Sequence, residues 1–441
     1  MINFIRAKNI TSPIGLFSSN NEPLWIDDAY LKPGEYESWL TYDFEQLNVD
    51  NDNITEDYKL IRMVQELTAK LVEKDKLLAL ASNDIETMKA SFQHLLSKDQ
   101  SSASKMTVDD STMKKKRIEN GVASVSLDED NGYFESYSHF GIHHSMLSDK
   151  VRTESYRDAI LNNASVMKDK IVMDLGCGTS ILSLFASKAG AKTVYAVDQS
   201  EIIYQAMEIA QTNKVDNIKF VKGRLEDVEF PVKKVDVIIS EWMGYFLLFE
   251  GMLDSVIFAR DNYLAENGLL LPNRCTISLI GYGHDERYKG YIDFFDDVYS
   301  FDMKCMKKDI LKEAHVERCS EEYVLTKPNI LSDLNLMKVD LNCPNFSYDF
   351  QLEVIKDGNM SSFVGYFDTF FDLPEKVSFS TSPQAPPTHW QQVVFYLDKS
   401  YALKAGDSIT GKFICQRDRK DLRSLKVEIR AFEKWFKYDL N

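Results

Sequence analysis

A short buried strand that ends in a glycine-rich turn constrains the fold of this chain more than any other feature. Residues 171–175 read Ile-Val-Met-Asp-Leu, and Gly176 and Gly178 follow them at once. Beyond the turn, helical segments alternate with short apolar strands as far as residue 240. Such alternation is typical of a doubly wound parallel sheet with helices on both faces. We therefore predict a Rossmann-like α/β domain around this turn.

The rest of the chain divides into regions of different composition. From Pro272 onward, short alternating apolar runs replace the helical period, which predicts an antiparallel β-barrel domain with an inserted aromatic and Met-rich arm. Apolar residues at steps of three and four from Leu60 to Leu95 predict an N-terminal helical extension, either a coiled coil or one long amphipathic helix. The predicted division is a docking segment at 1–54, the helix at 55–97, a flexible linker at 98–130, the α/β domain at 131–271 and the β-barrel domain at 272–441 with its arm at about 286–315.

Charge and cysteine content argue against several classes of function. The formal net charge is -16, from 68 acidic and 52 basic side chains, so nucleic acid is a poor direct substrate. A basic peptide suits an acidic protein better, although solubility alone also explains the charge. No apolar run is long enough for a transmembrane helix, so we expect no membrane partner. The six cysteines form no CxxC pair, which predicts reduced thiols in the cytosol or nucleus and no metal site.

Acidic residues near the glycine turn indicate a nucleoside cofactor without phosphates. Asp174 lies directly before the glycines, Asp198 ends the next strand and Glu226 follows the third strand. Asp198 can accept hydrogen bonds from both ribose hydroxyls, and Glu226 from the adenine amino group. A dinucleotide site would need a small residue where Ile181 stands. We also expect Arg152 to bind the carboxylate of an amino-acid moiety.

Two glutamates, Glu241 and Glu250, bracket an apolar loop directly after the strand at 235–240. The carboxyl ends of strands are where ligands bind in open α/β sheets. Two carboxylates would be costly to bury there without a cationic partner. Guanidinium is planar and permanently charged, so both carboxylates can hold it and orient one terminal nitrogen for attack. The loop therefore indicates an arginine acceptor.

Three separated motifs resemble those of the protein arginine methyltransferase family. They are SEWMGYFLLFE at 240–250, YFESYSHFGIH at 133–143 and Thr388-His389-Trp390. The resemblance covers residues 131–441 and implies a Rossmann-like domain joined to a β-barrel. The implied activity is methyl transfer from S-adenosyl-L-methionine to arginine in proteins, by direct displacement, with asymmetric dimethylarginine as product.

The resemblance also assigns roles to matching residues. Tyr137 and His143 match a lid over the cofactor, and His389 with Asp149 matches a pair that either relays a proton or is purely structural. The predicted site comprises, for catalysis, Glu241, Glu250, His389 and Asp149; for cofactor binding, Tyr137, His143, Met146, Arg152, Asp174, Gly176, Gly178, Asp198 and Glu226; and for control of the second methylation, Met146 and Met252.

Partners follow from the same resemblance. The arm at about 286–315 resembles the one by which these enzymes form head-to-tail dimers. The segment VRTESYRDAI at 151–160 is most similar to a family member that carries a zinc finger and methylates a ribosomal protein of the small subunit. No such finger occurs in this sequence. We expect a homodimer in the cytosol, with the nucleus as an alternative.

The sequence departs from the family pattern at three places, one of them a pair of residues. Ser180 replaces the third glycine of the turn, His144 and Ser145 replace two glutamates, and Gly251 replaces a serine. At the start of the next helix the Ser180 hydroxyl can cap a backbone N–H, so we predict a negative φ and an active enzyme. Two other functions stay compatible with the sequence. One is a methyltransferase for small molecules or nucleic acid, and the other is a catalytically silent binding module, for which Ser180 is the sole argument.

Overall fold

The computed structural model describes residues 121–125 and 127–441. The predicted docking segment at 1–54, the helix at 55–97 and the linker up to residue 120 lie outside the described residues. Within the described ranges, no helix is both long and apolar enough to cross a membrane.

Helices precede the first strand. They are α1 (Leu127–Ser136), α2 (Phe140–Ser148), α3 (Lys150–Leu161) and α4 (Ala164–Met167). α3 begins after Asp149 because that side chain accepts a hydrogen bond from the Arg152 N–H at 3.0 Å and so satisfies a free donor of the first turn.

The end of the predicted linker belongs to the folded structure. Val122 is 3% exposed, and its N–H donates to Asp254 Oδ2 at 2.8 Å. Asp130 is buried and forms an ion pair with Arg423. This differs from the predicted flexible linker for residues 121–125 and 127–130. Contacts with distant parts of the chain hold a segment whose own composition is polar.

A five-stranded parallel sheet forms the centre of the α/β domain. Its strands are β1 (Ile171–Leu175), β2 (Thr193–Asp198), β3 (Ile218–Lys222), β4 (Val235–Ser240) and β5 (Leu264–Leu271), connected in part by α5 (Ile181–Lys188), α6 (Ile203–Thr212) and α7 (Leu253–Tyr263). The strand order is β3-β2-β1-β4-β5. Because the order reverses between β1 and β4, a crevice for ligands opens beyond their carboxyl ends. The fold thus brings the glycine turn next to the loop that carries Glu241 and Glu250.

Two antiparallel sheets form the β-barrel domain. The strands are β6 (Arg274–Tyr282), β7 (His315–Glu317), β8 (Asn329–Asn335), β9 (Phe346–Glu353), β10 (Gly358–Phe371), β11 (Val377–Ser380), β12 (Gln392–Leu403), β13 (Ser408–Arg417), β14 (Leu425–Ala431) and β15 (Lys434–Leu440). One sheet has the order β7-β12-β10-β6-β8, with β11 paired to β10, and the other has the order β15-β14-β13-β9. Apolar residues at alternate positions face the core, as in β14, where Leu425, Val427 and Ile429 are buried. The predicted fold class, a Rossmann-like domain followed by a β-barrel domain, is confirmed.

The predicted arm lies between β6 and β7. It contains α8 (Asp285–Tyr291) and α9 (Lys307–Ile310). Large apolar side chains are exposed along it: Phe294, Tyr299, Phe301, Met303 and Met306. Tyr299 is the extreme case, with 92% of its surface exposed. A concentration of exposed apolar side chains marks a surface that contacts another molecule.

Candidate active site

A cavity of about 460 Å³ lies at the carboxyl ends of the parallel strands. Predicted site residues that line it are Tyr137, His143, Met146, Arg152, Gly176, Gly178, Asp198, Glu226, Glu241, Glu250, Met252 and His389. Asp149 and Asp174 lie behind this lining, in contact with His389 and Ser183 respectively. The fold therefore brings the whole predicted set together at one place.

Asp198 organises the glycine turn. Its Oδ2 accepts a hydrogen bond from the Gly178 N–H at 2.8 Å, and its Oδ1 accepts from the N–H and hydroxyl of Ser200 at 2.8 and 2.6 Å. Gly176 has φ +72°, and a Cβ there would lie 2.4 Å from Cε of Met252. At this φ a residue with a Cβ would be strained, so glycine suits the turn and lets it lie close to a ligand.

Two carboxylates in or directly behind the cavity lining each have a buried oxygen without a partner among the described residues. Asp174 accepts a hydrogen bond from the Ser183 hydroxyl at 2.6 Å through Oδ2, whereas its Oδ1 is buried with no partner in the described part of the chain. Burial raises the pKa of Asp174 to about 6. Glu226 accepts from the Ser255 hydroxyl at 2.6 Å, and its Oε2 is likewise buried and unpartnered among the described residues. S-adenosyl-L-methionine carries an amino group at each end, so these acceptors fit it.

The two glutamates of the acceptor loop differ in their partners. Arg152 Nε donates to Glu241 Oε2 at 2.8 Å, and the other oxygen, Oε1, is buried without a partner in the described ranges. Tyr137 donates its hydroxyl proton to Glu250 Oε2 at 2.6 Å. Burial raises the pKa of Glu250, while hydrogen bonds from Tyr137 and Tyr133 oppose that rise. The pair thus offers an unsatisfied acceptor and a desolvated carboxyl group to a cationic ligand.

Backbone geometry folds the acceptor loop back on itself. The Gly244 N–H donates to the Leu247 carbonyl at 3.1 Å, and a Cβ on Gly244 would lie 2.1 Å from the Phe249 carbonyl oxygen. Glu250 and Gly251 both have positive φ, +72° and +68°. Glycine at 251 adopts this conformation without strain, so its replacement of the family's serine suits the backbone here.

His389 is held by Asp149. The Nδ1 of His389 lies 2.7 Å from Asp149 Oδ2, which also accepts from the His389 N–H at 2.8 Å. Burial alone would raise the pKa of Asp149, but its hydrogen bonds from His389 and from the Arg152 N–H hold it below the usual range. Trp390 donates its indole N–H to the Met243 carbonyl at 2.7 Å, which ties this loop to the acceptor loop.

The predicted negative φ and helix cap at Ser180 are wrong. Its φ is +64°, in the left-handed region, and its hydroxyl makes no capping hydrogen bond. The reason lies in the turn: the Ser180 N–H donates to the Cys177 carbonyl at 2.7 Å, and its carbonyl accepts from the Leu184 N–H at 2.9 Å. These two bonds lead the chain from the turn into α5 and require the conformation that glycine prefers.

Some residues of the site were missed by sequence reasoning. Tyr133 lines the cavity one helical turn before Tyr137, and burial, together with the neighbouring Glu250 carboxylate, raises its pKa. The four-residue spacing of the two tyrosines, one on α1 and one directly after it, could have revealed it. Arg423 of the β-barrel domain also lines the cavity, and no sequence signal connects it to Glu250, 173 positions earlier. Among residues 121–125 and 127–441, no group of three or more His, Cys, Asp or Glu could hold a metal ion.

Two sequence families match the chain. Residues 274–434 match the arginine methyltransferase oligomerization subdomain, and residues 167–278 match a methyltransferase domain. Protein arginine N-methyltransferase 1 of Schizosaccharomyces pombe is 46% identical over 310 residues, which cover 70% of this chain and 91% of that protein. Protein arginine N-methyltransferase 1 of Saccharomyces cerevisiae is 42% identical over 331 residues, which cover 74% of this chain and 92% of that protein.

Solved structures share the fold. The Trypanosoma brucei PRMT1 enzyme-prozyme heterotetrameric complex with AdoHcy superposes with a TM-score of 0.67 at 35% identity, over 69% of this chain and 100% of that one. Arabidopsis thaliana Protein Arginine Methyltransferase 10 gives a TM-score of 0.63 at 26% identity, over 70% of this chain and 100% of that one.

Proposed function

The chain belongs to the protein arginine N-methyltransferase family, whose members use S-adenosyl-L-methionine, and we propose that it forms asymmetric dimethylarginine on protein substrates. The observation that carries this proposal is Glu241 Oε1, a buried acceptor with no partner in the described part of the chain, in the same cavity as Glu250. An arginine guanidinium supplies the missing donors and the missing positive charge.

The two glutamates bind and orient the acceptor. Glu241 accepts from one nitrogen of the guanidinium and Glu250 from another, which draws the positive charge toward them and leaves electron density on the nitrogen that attacks. When bound, S-adenosyl-L-methionine supplies an electrophilic methyl group on a sulfonium sulfur. Arg152 fixes the position of Glu241, and Tyr137 fixes that of Glu250. Catalysis therefore rests on alignment and electrostatics, with no covalent bond to the enzyme.

Methionines at 146 and 252 support dimethylation of a single nitrogen. Both side chains line the cavity, and Met252 packs against Gly176 of the cofactor turn. Met is unbranched and adapts its shape, so a monomethylated nitrogen still fits. Replacing Met146 with Phe should stop the reaction at the monomethyl stage or redirect the second methyl group. Chromatography with tandem mass spectrometry of peptide hydrolysates separates the isomeric products, and unchanged asymmetric dimethylarginine would contradict this assignment.

For the substrate we infer a protein rather than a free amino acid, with a ribosomal protein of the small subunit as the first candidate. The segment at 151–160 resembles protein arginine methyltransferase 3 and supports that subtype. The two yeast relatives reported above are instead named protein arginine N-methyltransferase 1. A cytosolic location agrees with six cysteines that all lack a disulfide partner. Methylation of purified ribosomal subunits, compared with an Arg-rich peptide, tests the choice.

The exposed arm supports a homodimer. Phe301 is 67% exposed and Tyr299 is 92% exposed, and a partner subunit would bury both. Deletion of about residues 290–312 should give a monomer with little activity, because an arm docked on the neighbour's α/β domain would brace the helices over its cofactor. Light scattering of the intact protein tests whether it is a dimer, and a monomer would refute the proposal.

The decisive experiment measures radiolabelled methyl transfer to an Arg-rich peptide and to its Arg-to-Lys version. Glu250→Gln should lower turnover by at least about a hundredfold, because a buried guanidinium loses a charged partner, while cofactor binding stays near normal. Glu353→Gln, on an exposed Glu of β9, is the matched control. If Glu250→Gln turned over at the wild-type rate, Glu250 would not be one of the residues that hold the arginine guanidinium. Cofactor binding by the wild type without any transfer would favour a silent binding module.

A further inference from the structure

Arg423 lies in the turn between β13 and β14, at the point where the two domains meet the acceptor loop. Its side chain is only 15% exposed. All three sides of its guanidinium are in contact with other groups, since two nitrogens bind Asp130, a third binds the Glu250 carbonyl, and one face lies against Tyr133. A fork of this kind fixes several groups at once, which a flexible ammonium group does not.

The first set of contacts fixes the main chain of Glu250. The Glu250 N–H donates to the Arg423 carbonyl at 2.8 Å, and the Glu250 carbonyl accepts from Arg423 Nη1. Both polar backbone groups of Glu250 are thus bonded to one residue. Glu250 has φ +72°, a conformation that a residue with a Cβ keeps only when its surroundings impose it. Both hydrogen bonds to Arg423 hold Glu250 in this conformation, and the Glu250 side chain lines the cavity.

The second set of contacts reaches helix α1. Arg423 Nε and Nη2 each donate to Asp130 at 2.7 Å, a two-pronged ion pair with a carboxylate that is 4% exposed. The guanidinium carbon lies 3.5 Å from the centre of the Tyr133 ring. Directly after the end of α1, Tyr137 donates to the Glu250 carboxylate. Arg423 is therefore connected to Glu250 in two ways. It binds the main chain of Glu250 directly, and through α1 and Tyr137 it is connected to the Glu250 carboxylate.

With arginine methylation as the reaction, we propose that Arg423 is a positioning residue that couples the docking of α1 over the cofactor cavity to the orientation of Glu250. It acts through Glu250, Asp130 and Tyr133. Loss of the guanidinium removes the bond to the Glu250 carbonyl, so that only the bond from the Glu250 N–H to the main chain of residue 423 remains. It also leaves the Asp130 carboxylate buried without its main partner. Glu250 and helix α1 then lose their fixed positions together.

The variants Arg423→Ala and Arg423→Lys test this coupling, with Arg274→Ala as the matched control. Arg274 also contacts two aspartates, Asp333 and Asp372, and lies 3.9 Å from the centre of the Phe370 ring. It belongs to β6 and is not part of the cavity lining. A general effect of removing an arginine from such a cluster would appear in both variants, whereas an effect on positioning would appear only at Arg423.

Arg423→Ala should lower kcat about 10- to 100-fold and weaken cofactor binding several-fold, while Arg274→Ala stays within about twofold of the wild type in both. Arg423→Lys should not restore kcat, because an ammonium group lacks the planar fork that binds both oxygens of Asp130 and the Glu250 carbonyl at once. The double variant with Tyr137→Phe should lose less than the product of the two single effects, since both act through Glu250. If Arg423→Ala does not fold, Asp130→Asn replaces it and should give a smaller loss of the same kind.

Hydrogen exchange of the amides in residues 127–136 gives a readout that needs no activity. Exchange should be about tenfold faster in Arg423→Ala than in the wild type and unchanged in Arg274→Ala. Normal kcat in Arg423→Ala, full rescue by Arg423→Lys, multiplicative losses with Tyr137→Phe, or unchanged exchange in α1 would each overturn the coupling. Absence of transfer to arginine by the wild type would instead contradict the proposed function, and the exchange result would still decide the role of Arg423.

Discussion

Replacing Ser180 with glycine should make the protein more stable. Ser180 is completely buried and has φ +64° and ψ +23°. The left-handed conformation costs a residue with a Cβ about 1 to 2 kcal/mol, and glycine avoids this cost. Glycine also gives the unfolded chain more freedom, which offsets about 0.4 to 1 kcal/mol of the gain. We therefore expect the free energy of unfolding to rise by roughly 1 kcal/mol.

Urea denaturation without cofactor measures this gain, and two control variants separate its causes. Ser180→Ala keeps the Cβ and loses only the hydroxyl, so it should show no gain. Lys214→Gly relieves the same strain at an exposed position, φ +56°, away from the cavity, and should gain a similar amount. An increase in Ser180→Ala equal to that in Ser180→Gly would show that the buried hydroxyl, and not the backbone, causes the cost.

Cofactor affinity is the second measurement. The turn is held by Asp198 and by its own backbone bonds, so its conformation does not depend on residue 180 alone. Ser180→Gly should change the dissociation constant, measured by calorimetry, by no more than a few-fold. A gain of more than about tenfold, equivalent to roughly 1.4 kcal/mol, would mean that serine pushes the turn away from the ligand. A loss of stability in Ser180→Gly would refute the reasoning from φ altogether.

Two further predictions concern carboxylates of the site. Asp198→Ala should weaken cofactor binding by roughly 1.5 to 3 kcal/mol, because ribose contacts and the bond that holds the Gly178 N–H are lost, and unchanged affinity by calorimetry would contradict its role. Tyr137→Phe should move the acid limb of the pH profile of kcat/KM to higher pH. The tyrosine hydroxyl favours the ionised form of Glu250, so its loss raises further a pKa that burial already raises, and turnover should fall earlier as the pH falls. An acid limb at the wild-type pH would show that Glu250 does not set it.

Local patterns were enough to predict the parallel sheet. β1 at 171–175 and β4 at 235–240 have the bounds that the sequence indicates, because strands covered by helices on both faces read as short uninterrupted apolar runs. Their carboxyl ends meet at the edge where the strand order reverses. Residues directly after these strands, such as Gly176 and Glu241, therefore lie at the edge where a ligand site is expected.

Features that depend on contacts between distant parts of the chain could not be predicted from the sequence. Alternation marks which side chains of β12 or β13 face the core, but it does not tell which strand pairs with which, so the order of the two barrel sheets was beyond the sequence. The same limit hid Arg423, which reaches Asp130 across 293 positions. The error at Ser180 has a different origin, since capping preference and backbone conformation conflict there and the closure of the turn decides between them.

Glu241 and Glu250 have different partners, so we expect their replacement by glutamine to have opposite effects on the free energy of unfolding. Arg152 and Glu241 have side chains only 7% exposed, so Glu241→Gln leaves a buried guanidinium without its counter-charge. The glutamine oxygen still accepts one hydrogen bond, so we expect a loss of about 1 to 3 kcal/mol in the free energy of unfolding. Glu250 differs, because its carboxylate accepts from a neutral tyrosine and burial raises its pKa.

A raised folded-state pKa means that the ionised form of Glu250 opposes folding. The penalty is absent below the pKa of the unfolded chain, about 4.3, and grows as the pH rises toward the folded-state pKa. Glu250→Gln removes it, so this variant should be more stable than the wild type at pH 8 and equal to it near pH 4. Urea denaturation at both values measures the difference. If Glu241→Gln and Glu250→Gln lowered the free energy of unfolding equally at pH 8, the difference between the partners of the two carboxylates would have no effect on stability.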